Sequence, residues 1–513
     1  MTSGRREQIV WWVFAFIVVG ATVLRVAHLG SHRFHVDEAL FSSYGLAIAT
    51  GRDMLLAMEQ VDKPPLFFYI LALSFRAFGK SETAAAIPNL VASVGSVALV
   101  FYLCRRLYGR GTALIAAALM AVSPFNVAYA YTAFIDPTMV GCLLLALALA
   151  ERRSFFAAGL TAGLLPALKV QGILFWPVVA AFAVLGLAAA REKPWRWARA
   201  AGLGLLGAVV PLAVVALWSY LRPNQVPFLD LAAANNPLVP SPPASYAARL
   251  GDWWSSSLQF IAGPSPANYA MLLGVPVLLA WDILALLLGR GRPRAAWVDL
   301  IVAAFAAFFL AWHTYFDLPA WDRYMLGIVP FGAILLARAL TLPWQALSLA
   351  TPELVVRPAT VYSLGGALVL FLAVAMFEPV RDGLHEAIAL GWSGLGGPAT
   401  YQGIDAVADY FKGNAHAGAL IYDYKTLSWH YKYYLFGEPY RVIWFDDSYL
   451  DSFRLSVLDH RDREQYIVLA SWQNNEKVRA LLEGKVLRLV EVYRTHRPDG
   501  SVSFTIYRIE PRQ

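Results

Sequence analysis

Charge is scarce in this sequence. Only 15% of its 513 residues are Asp, Glu, Lys or Arg, and 58% are hydrophobic. A soluble domain is nearer a quarter charged and half apolar, so an ordinary water-soluble globule is excluded. Several apolar runs are long enough to cross a bilayer core of about 30 Å, and the chain reads as a polytopic membrane protein. Cysteine is nearly absent. Cys104 and Cys142 both fall in or at the ends of apolar runs, where they read as small buried side chains rather than a disulfide. The sequence also lacks Cys/His metal spacing and any repeat or low-complexity tract, and its tail from roughly 395 has no glycine-rich phosphate loop. No small-residue cleavage site follows "MTSGRREQ" and the apolar run after it, so the first run is expected to be a retained span rather than a signal peptide.

Apolar runs predict about 11 spans, near 8–27, 83–104, 111–131, 137–150, 154–168, 171–190, 199–221, 269–289, 297–316, 324–342 and 359–378. The net charge of +7 is read as cytoplasmic loop arginines, with no nucleic-acid partner. With Arg5 and Arg6 inside, the other inner loops carry Arg105, Arg106 and Arg110; Arg152 and Arg153; Arg191, Lys193, Arg196 and Arg199; Arg290, Arg292 and Arg294; and Arg338 and Arg357. This agreement requires that the run 64–79 does not cross. It begins with Pro64-Pro65, carries Arg76, and suits an interfacial or re-entrant helix. The spans 137–150 and 154–168 are short, about 21–23 Å each.

Three regions then face outward: the loop 28–82, the loop 222–268 and the tail after 378. The second is rich in Pro, Asn and Ser, and its pair Trp253-Trp254 is expected at headgroup level on a connector lying along the membrane. In the tail, "GALIYDY", "RVIWFD" and "YIVLAS" predict short strands. "DAVADYFKG" and "NNEKVRALLEG" predict helices closed by glycine, and "KVLRLVEVYRTHRPDGSVSFTIYRI" a hairpin turning at Pro-Asp-Gly. The expected organisation is a transmembrane module over 1–378 and an extracytoplasmic α/β domain over 379–513.

This topology sends the scarce charges of several distant segments to one leaflet. The first loop holds Asp37, Glu38, Asp53, Glu59, Asp62 and Lys63; Asp136-Pro137 opens a span; Lys169 and Gln171 lie at the outer end of "LLPALKVQG"; His313, Asp317, Asp322 and Arg323 flank the spans 297–316 and 324–342. Ionisable groups near membrane depth are costly and are functional candidates. Each also has a plainer role. Asp37 and Asp136 suit helix N-caps, and Glu38 a first-turn dipole partner. Asp62 and Lys63 suit a surface ion pair, and Lys169 snorkelling to headgroups. Arg323 suits pairing with Asp322 or Asp317, and His313 a satisfied interfacial histidine.

The series "DEA", "DKPPLFFYILAL", "SETAAAIPNLVASVGSVALVFYLCRRLYG", "AYTAFIDPTMV", "GLTAGLLPALKVQG" and "DRYMLGIVPFGAILLARAL" resembles the GT-C glycosyltransferases over roughly residues 8–345. Within them it is similar to the glycosyltransferase 39, dolichyl-phosphate-mannose–protein mannosyltransferase-like branch, which includes the lipid A aminoarabinose transferases. The resemblance implies an inverting transferase. Its donor would be a sugar on a polyprenyl-phosphate carrier, and its acceptor an extracytoplasmic glycan, lipid or protein. It implies Asp37 as general base and Lys63, Lys169 and Arg323 as cations on the donor phosphate. Glu38, Asp62 and Asp136 would position the acceptor, Asp62 and Asp136 also matching positions that hold a divalent metal in some relatives. Aminoarabinose transferases carry an arginine three residues after the matching aspartate; here that position is Leu40. The chemistry is consistent. A lipid phosphate is a weakly basic leaving group that needs cations more than a proton donor, and one carboxylate suffices to deprotonate the acceptor. Two other classes use some of these features: a polyprenyl-lipid transporter or flippase, with the cations but no base, and a membrane scaffold binding partners through its outer domain.

Overall fold

Six helices are long and apolar enough to cross a membrane among the described residues: Gly4–Val26, Glu82–Leu107, Val170–Ala189, Pro194–Tyr220, Pro293–Tyr315 and Asp322–Pro343. The computed structural model describes residues 3–27, 29–30, 33–222, 225–256, 265–289, 293–318, 320–350, 401–425, 427–482 and 487–511. The predicted span 359–378 and the first part of the predicted outer domain, 379–400, lie outside the described residues. The chain is a multi-pass membrane protein. The predicted short spans remain short, as helices Asp136–Glu151 and Phe155–Leu168, and the run after Pro64-Pro65 is the 13-residue helix Leu66–Phe78. The chain divides into two units. One comprises Met1–Leu29, Asp53–Ile70 and Ala86–Ala387; the other Gly30–Arg52, Leu71–Ala85 and Ile388–Gln513.

In the first unit the predicted span 111–131 is not one helix. It breaks between Arg110–Val122 and Pro124–Tyr131 with a bend of 54°. Ser123-Pro124 is the local cause: the Ser123 side chain accepts from the Asn126 amide, and proline starts the new helix at its first turn. A break inside a membrane protein frees carbonyls that lipid cannot satisfy. Arg25, fully buried on the first helix, meets them. It donates to the carbonyls of Ala121 at 3.0 Å and Met120 at 3.4 Å, and to Ser93 Oγ at 2.7 Å. Ser93 in turn donates to the Asn126 carbonyl, and Asn126 Nδ2 to the Met120 carbonyl.

Helices Phe155–Leu168 and Pro194–Tyr220 pack backbone against backbone. A side chain at Gly159 would run into the Gly204 carbonyl, one at Gly163 into that of Ala208, and one at Gly207 into that of Phe156. Between lipid-solvated helices, such close approach replaces the hydrophobic effect as the attraction. Gly159→Val should therefore sharply reduce the yield and melting temperature of detergent-purified protein. Gly204→Ala, whose added carbon comes no closer than 3.9 Å to the Phe155 carbonyl, should not. A thermal melt followed by size-exclusion chromatography distinguishes the two.

Basic residues of the predicted inner loops meet on three glutamates. Glu7 pairs with Arg105 and Arg110. Glu151 pairs with Arg106 and Arg294, and Glu192 with Arg153 and Arg196. Arg338 is an exception to the predicted loops. The last described helix of this unit, Val329–Ala350, carries Arg338 inside it, within the predicted span 324–342 rather than in a loop. There Arg338 is buried and donates to Asp299 at 2.8 Å, while Asp299 also accepts from the Tyr108 hydroxyl at 2.7 Å. A cation held inside the bundle needs such carboxylates. Arg357 lies outside the described residues. Trp253, expected at the headgroups, is fully buried beside His313, to whose carbonyl its indole donates at 3.3 Å.

The tail of the second unit forms a five-stranded sheet: β1 Leu420–Tyr424, β2 Arg441–Phe445, β3 Gln465–Ala470, β4 Leu487–His496 and β5 Val502–Pro511. The order is β2-β1-β3-β5-β4. β1 runs parallel to β2 and β3, and β5 antiparallel to β3 and β4. Five strands appear where five were expected. Helices Ile404–Asn414 and Glu476–Leu482 also match. Helices Ser428–Tyr434 and Leu450–Asp459 were not anticipated. The loop helix Val36–Ala49 belongs to this unit, and its Gly45 lies so close to Leu71 and Phe75 that a β-carbon there would sit 2.8 Å from Leu71 Cβ.

Candidate functional site

The segment leading to Lys63 is fastened residue by residue. Asp53 accepts from the amides of Ala57 and Met58, each at 2.8 Å. Leu56 is fully buried and adopts φ 52°, a left-handed conformation costly for a leucine. Its carbonyl is clamped by Arg222 Nε at 3.0 Å and Nη2 at 2.6 Å, and Nη2 also reaches the Glu59 carbonyl at 2.7 Å. Trp218, one turn back, donates to the Leu55 carbonyl at 3.0 Å and lies under the Arg222 guanidinium. The chain then passes through Asp62 and Lys63 to Pro64-Pro65, whose fixed φ leads into helix Leu66–Phe78. Sequence reasoning missed Arg222 and Trp218. Their signal was available: an arginine at the predicted outer end of a span, against the positive-inside bias, four residues after a tryptophan.

The three cations expected at the donor phosphate fall within one electrostatic neighbourhood of this unit. Lys169 sits in extended backbone where helix Phe155–Leu168 ends, and its Nζ lies 2.7 Å from Asp136 Oδ1. Both are buried. The Lys169 ammonium is also 4.3 Å from the Tyr324 ring centre, and the charges of Arg323 and Lys63 both act on it. The buried Arg323 guanidinium lies 4.0 Å over Trp321 and 4.7 Å over Phe134, and its backbone N–H donates to Asp322 Oδ1 at 2.8 Å. Lys63 Nζ is 2.6 Å from Asp62 Oδ2, which also accepts from Asn235 at 3.1 Å. Asp136 is the first residue of its helix rather than the cap, since Ile135 holds the cap position.

A divalent metal does not fit these residues. Asp62 and Asp136 each hold a lysine ammonium at ion-pair distance, so a metal would meet a cation at both. Among the described residues, no group of three or more His, Cys, Asp or Glu side chains converges as a metal site. The metal expectation for Asp62 and Asp136 is replaced by two lysine–carboxylate pairs.

Asp37 and Glu38 belong to the second unit. The N-cap of helix Val36–Ala49 is His35, not Asp37. His35 Nδ1 accepts from the Asp37 amide at 3.2 Å, and Glu38 Oε2 accepts from the His35 amide at 2.9 Å. This reciprocal capping accounts for Glu38, which is wholly buried. It leaves the half-buried Asp37 side chain outside the capping pair. Burial, together with the charges of Asp37 and Asp423, holds the Tyr401 hydroxyl well above the usual tyrosine range. Arg33 of the same loop bridges Glu82 at 2.8 Å and Asp405 at 2.6 Å, and His430 Nε2 lies 2.9 Å from the Phe34 carbonyl.

Residues 62–218 match the family model of the dolichyl-phosphate-mannose-protein mannosyltransferases, a stretch that includes Asp62, Lys63, Asp136, Lys169 and Trp218. Along nearly its whole length the chain superposes on ArnT from Cupriavidus metallidurans in the apo state, with a TM-score of 0.63 at 17% identity over 97% of each chain. The chain has the fold of this membrane protein. The same enzyme bound to undecaprenyl phosphate gives a TM-score of 0.60 at 16% identity, covering 99% of this chain and 98% of that one. The oligosaccharyltransferase of Archaeoglobus fulgidus gives 0.52 at 12% identity, covering 98% and 75%. At these identities the likeness is one of fold. Among curated proteins, the putative mannosyltransferase YycA of Bacillus subtilis (strain 168) is 39% identical over 128 residues, which is 25% of this chain and 16% of that protein. YkcB of the same organism is 40% identical over 86 residues, 17% of this chain and 12% of that protein. The chain thus matches less than a fifth of the length of either relative.

Proposed function

We propose that this protein is an inverting glycosyltransferase that moves a sugar from a polyprenyl-phosphate carrier to an extracytoplasmic glycan, lipid or protein. The observation that carries this reading is the grouping of Lys63, Lys169 and Arg323, contributed by three segments distant in sequence. In the reaction an acceptor hydroxyl oxygen attacks the anomeric carbon. The bond from that carbon to the carrier phosphate breaks with inversion, and the phosphate leaves with the electron pair, its growing charge met by the three cations. Asp37 takes the hydroxyl proton. At rest, Asp62 and Asp136 compensate the two lysines, since an uncompensated buried charge costs several kcal/mol. The module 1–378 carries the donor, and the domain 379–513 is extracytoplasmic. Purified protein in liposomes, given a radiolabelled polyprenyl-phosphate sugar and native lipid extract, should yield a labelled product. Movement of label across the bilayer without a new product would make the protein a carrier instead.

Arg222 is proposed to act as a positioning residue for Lys63 by clamping the Leu56 and Glu59 carbonyls. Arg222→Met should lower kcat about 10–100-fold with KM for the acceptor little changed, because small misplacements of a catalytic group are expensive. Equal kcat in the variant and the native protein would leave Arg222 a structural residue only.

The proposed orientation puts the basic end in the cytoplasm and the C-terminal domain outside. A cysteine replacing the exposed Ser501 should react with an impermeant maleimide in intact spheroplasts. Labelling only after lysis reverses the orientation.

A further inference from the structure

The second unit contains a cavity of about 570 Å³, within the usual range for small-molecule sites of roughly 300–1,000 Å³. Its lining includes Val36, Lys425, Ser428, Trp429, Lys432 and Trp444. Two features set it apart from the surrounding surface. The first is its chemistry, two ammonium groups alternating with two indoles. Lys432 Nζ lies 4.6 Å from the Trp429 ring centre, and Trp444 is nearly half exposed. The second is the backbone of Lys425, with φ 78°. For a residue with a side chain this is a strained conformation of the kind that collects at binding sites. It is held by the Lys425 amide donating to the Phe445 carbonyl at 3.0 Å and by the Trp444 indole donating to the Lys425 carbonyl at 3.2 Å. The Lys425 ammonium is 2.9 Å from the partly exposed Asp447, so an incoming anion can exchange with a solvated carboxylate instead of a buried one.

We propose that this cavity is an acceptor subsite for an anionic saccharide, a sugar bearing a carboxylate or a phosphate. The indoles offer flat apolar faces to the C–H faces of a pyranose, and Lys425 and Lys432 take the anion as point charges. Val36 lines the cavity and Asp37 is the next residue in the chain. The assignment as an acceptor site therefore rests on the glycosyltransferase reading, whereas the binding itself does not.

The test uses full-length protein in nanodiscs, with tryptophan fluorescence as the signal and glucuronate, glucose 6-phosphate and glucose as probes. Both anionic sugars should bind, and glucose at least tenfold more weakly. The Lys425→Ala/Lys432→Ala double variant should lose about tenfold in affinity per lysine for the anions and be unchanged for glucose. Trp444→Ala should weaken all three. Nanodiscs containing a phosphorylated glycolipid separate the sources: loss of soluble-probe binding there identifies a lipid headgroup, and retained binding a soluble uronate-bearing glycan. Equal binding of glucose and the anions, or native affinity in the double variant, overturns the proposal. Binding without sugar transfer from labelled donor leaves the subsite standing and removes the transferase reading. Transfer without binding does the reverse.

Discussion

Asp37→Asn should abolish sugar transfer while leaving the fold and donor binding intact. The substitution is nearly isosteric. The local structure depends on the Asp37 backbone amide, which His35 accepts, and on Glu38, which closes the other half of the cap. Neither uses the Asp37 carboxylate, so helix Val36–Ala49 should start as before. What asparagine cannot do is accept the acceptor's proton. Losing a general base slows a reaction by roughly 10²–10⁴-fold. Single-turnover rates with purified variant and labelled donor provide the measurement. Near-native turnover would remove Asp37 from the mechanism, and a lost melting transition would show that the residue is structural.

The second large effect is expected at Lys63. Its resting partner is Asp62 at 2.6 Å, and both side chains remain partly exposed, 28% and 20%. If that pair were its whole role, Lys63→Ala would cost under about 1 kcal/mol of stability and little activity. A phosphate role predicts something different. The variant should bind donor more weakly and also turn over roughly 10²-fold more slowly, because charge grows on the phosphate as the glycosidic bond breaks. Lys63→Arg should rescue only in part, since a planar fork is a poor substitute for a point charge. Asp62→Ala separates the roles further: it removes the ion pair and the Asn235 contact but keeps the cation, so donor binding should survive. Native donor affinity and native rate in Lys63→Ala would leave only the ion pair.

What could be read in advance follows from which signals are local. The five strands of the C-terminal domain were legible because short β-branched and aromatic runs lie between turn residues, as at the Pro-Asp-Gly of the β4–β5 hairpin. Helix Ser428–Tyr434 was not, because "SWHYKYY" is almost all ring-bearing residues and shows no amphipathic period; its order comes from burial of Tyr431, Tyr433 and Tyr434. The spans were legible by hydropathy, which says nothing about continuity: Ser123-Pro124 announces a possible cap, but only the distant Arg25 makes a break there affordable. Lys63, Lys169 and Arg323 stood out as cations against the expected bias of the outer leaflet. Their carboxylate partners were ambiguous, since an aspartate at a helix start reads equally as a cap, a metal ligand or an ion-pair partner, and Asp136 proves to be the last of these. Arg338 was misplaced because it was counted with the loop arginines although the predicted span 324–342 contains it, and it proves to be a buried partner of Asp299.

The Arg25 arrangement also has a schedule. Besides the Ala21 carbonyl of its own helix, its hydrogen-bonding partners follow it in the chain, by 68 residues at Ser93 and 96 at Ala121. At a synthesis rate of about 5–20 residues per second, the ribosome needs roughly 5–20 s to supply the later one. For that interval the newly inserted first helix carries a cation that has only the Ala21 carbonyl of its own helix to receive it, and the long side chain reaches toward the headgroups instead. The first helix can therefore take its final depth and rotation only after the broken segment arrives. A chain arrested before residue 121 would hold that helix in a different position, exposed to the quality-control proteases that survey unassembled membrane segments.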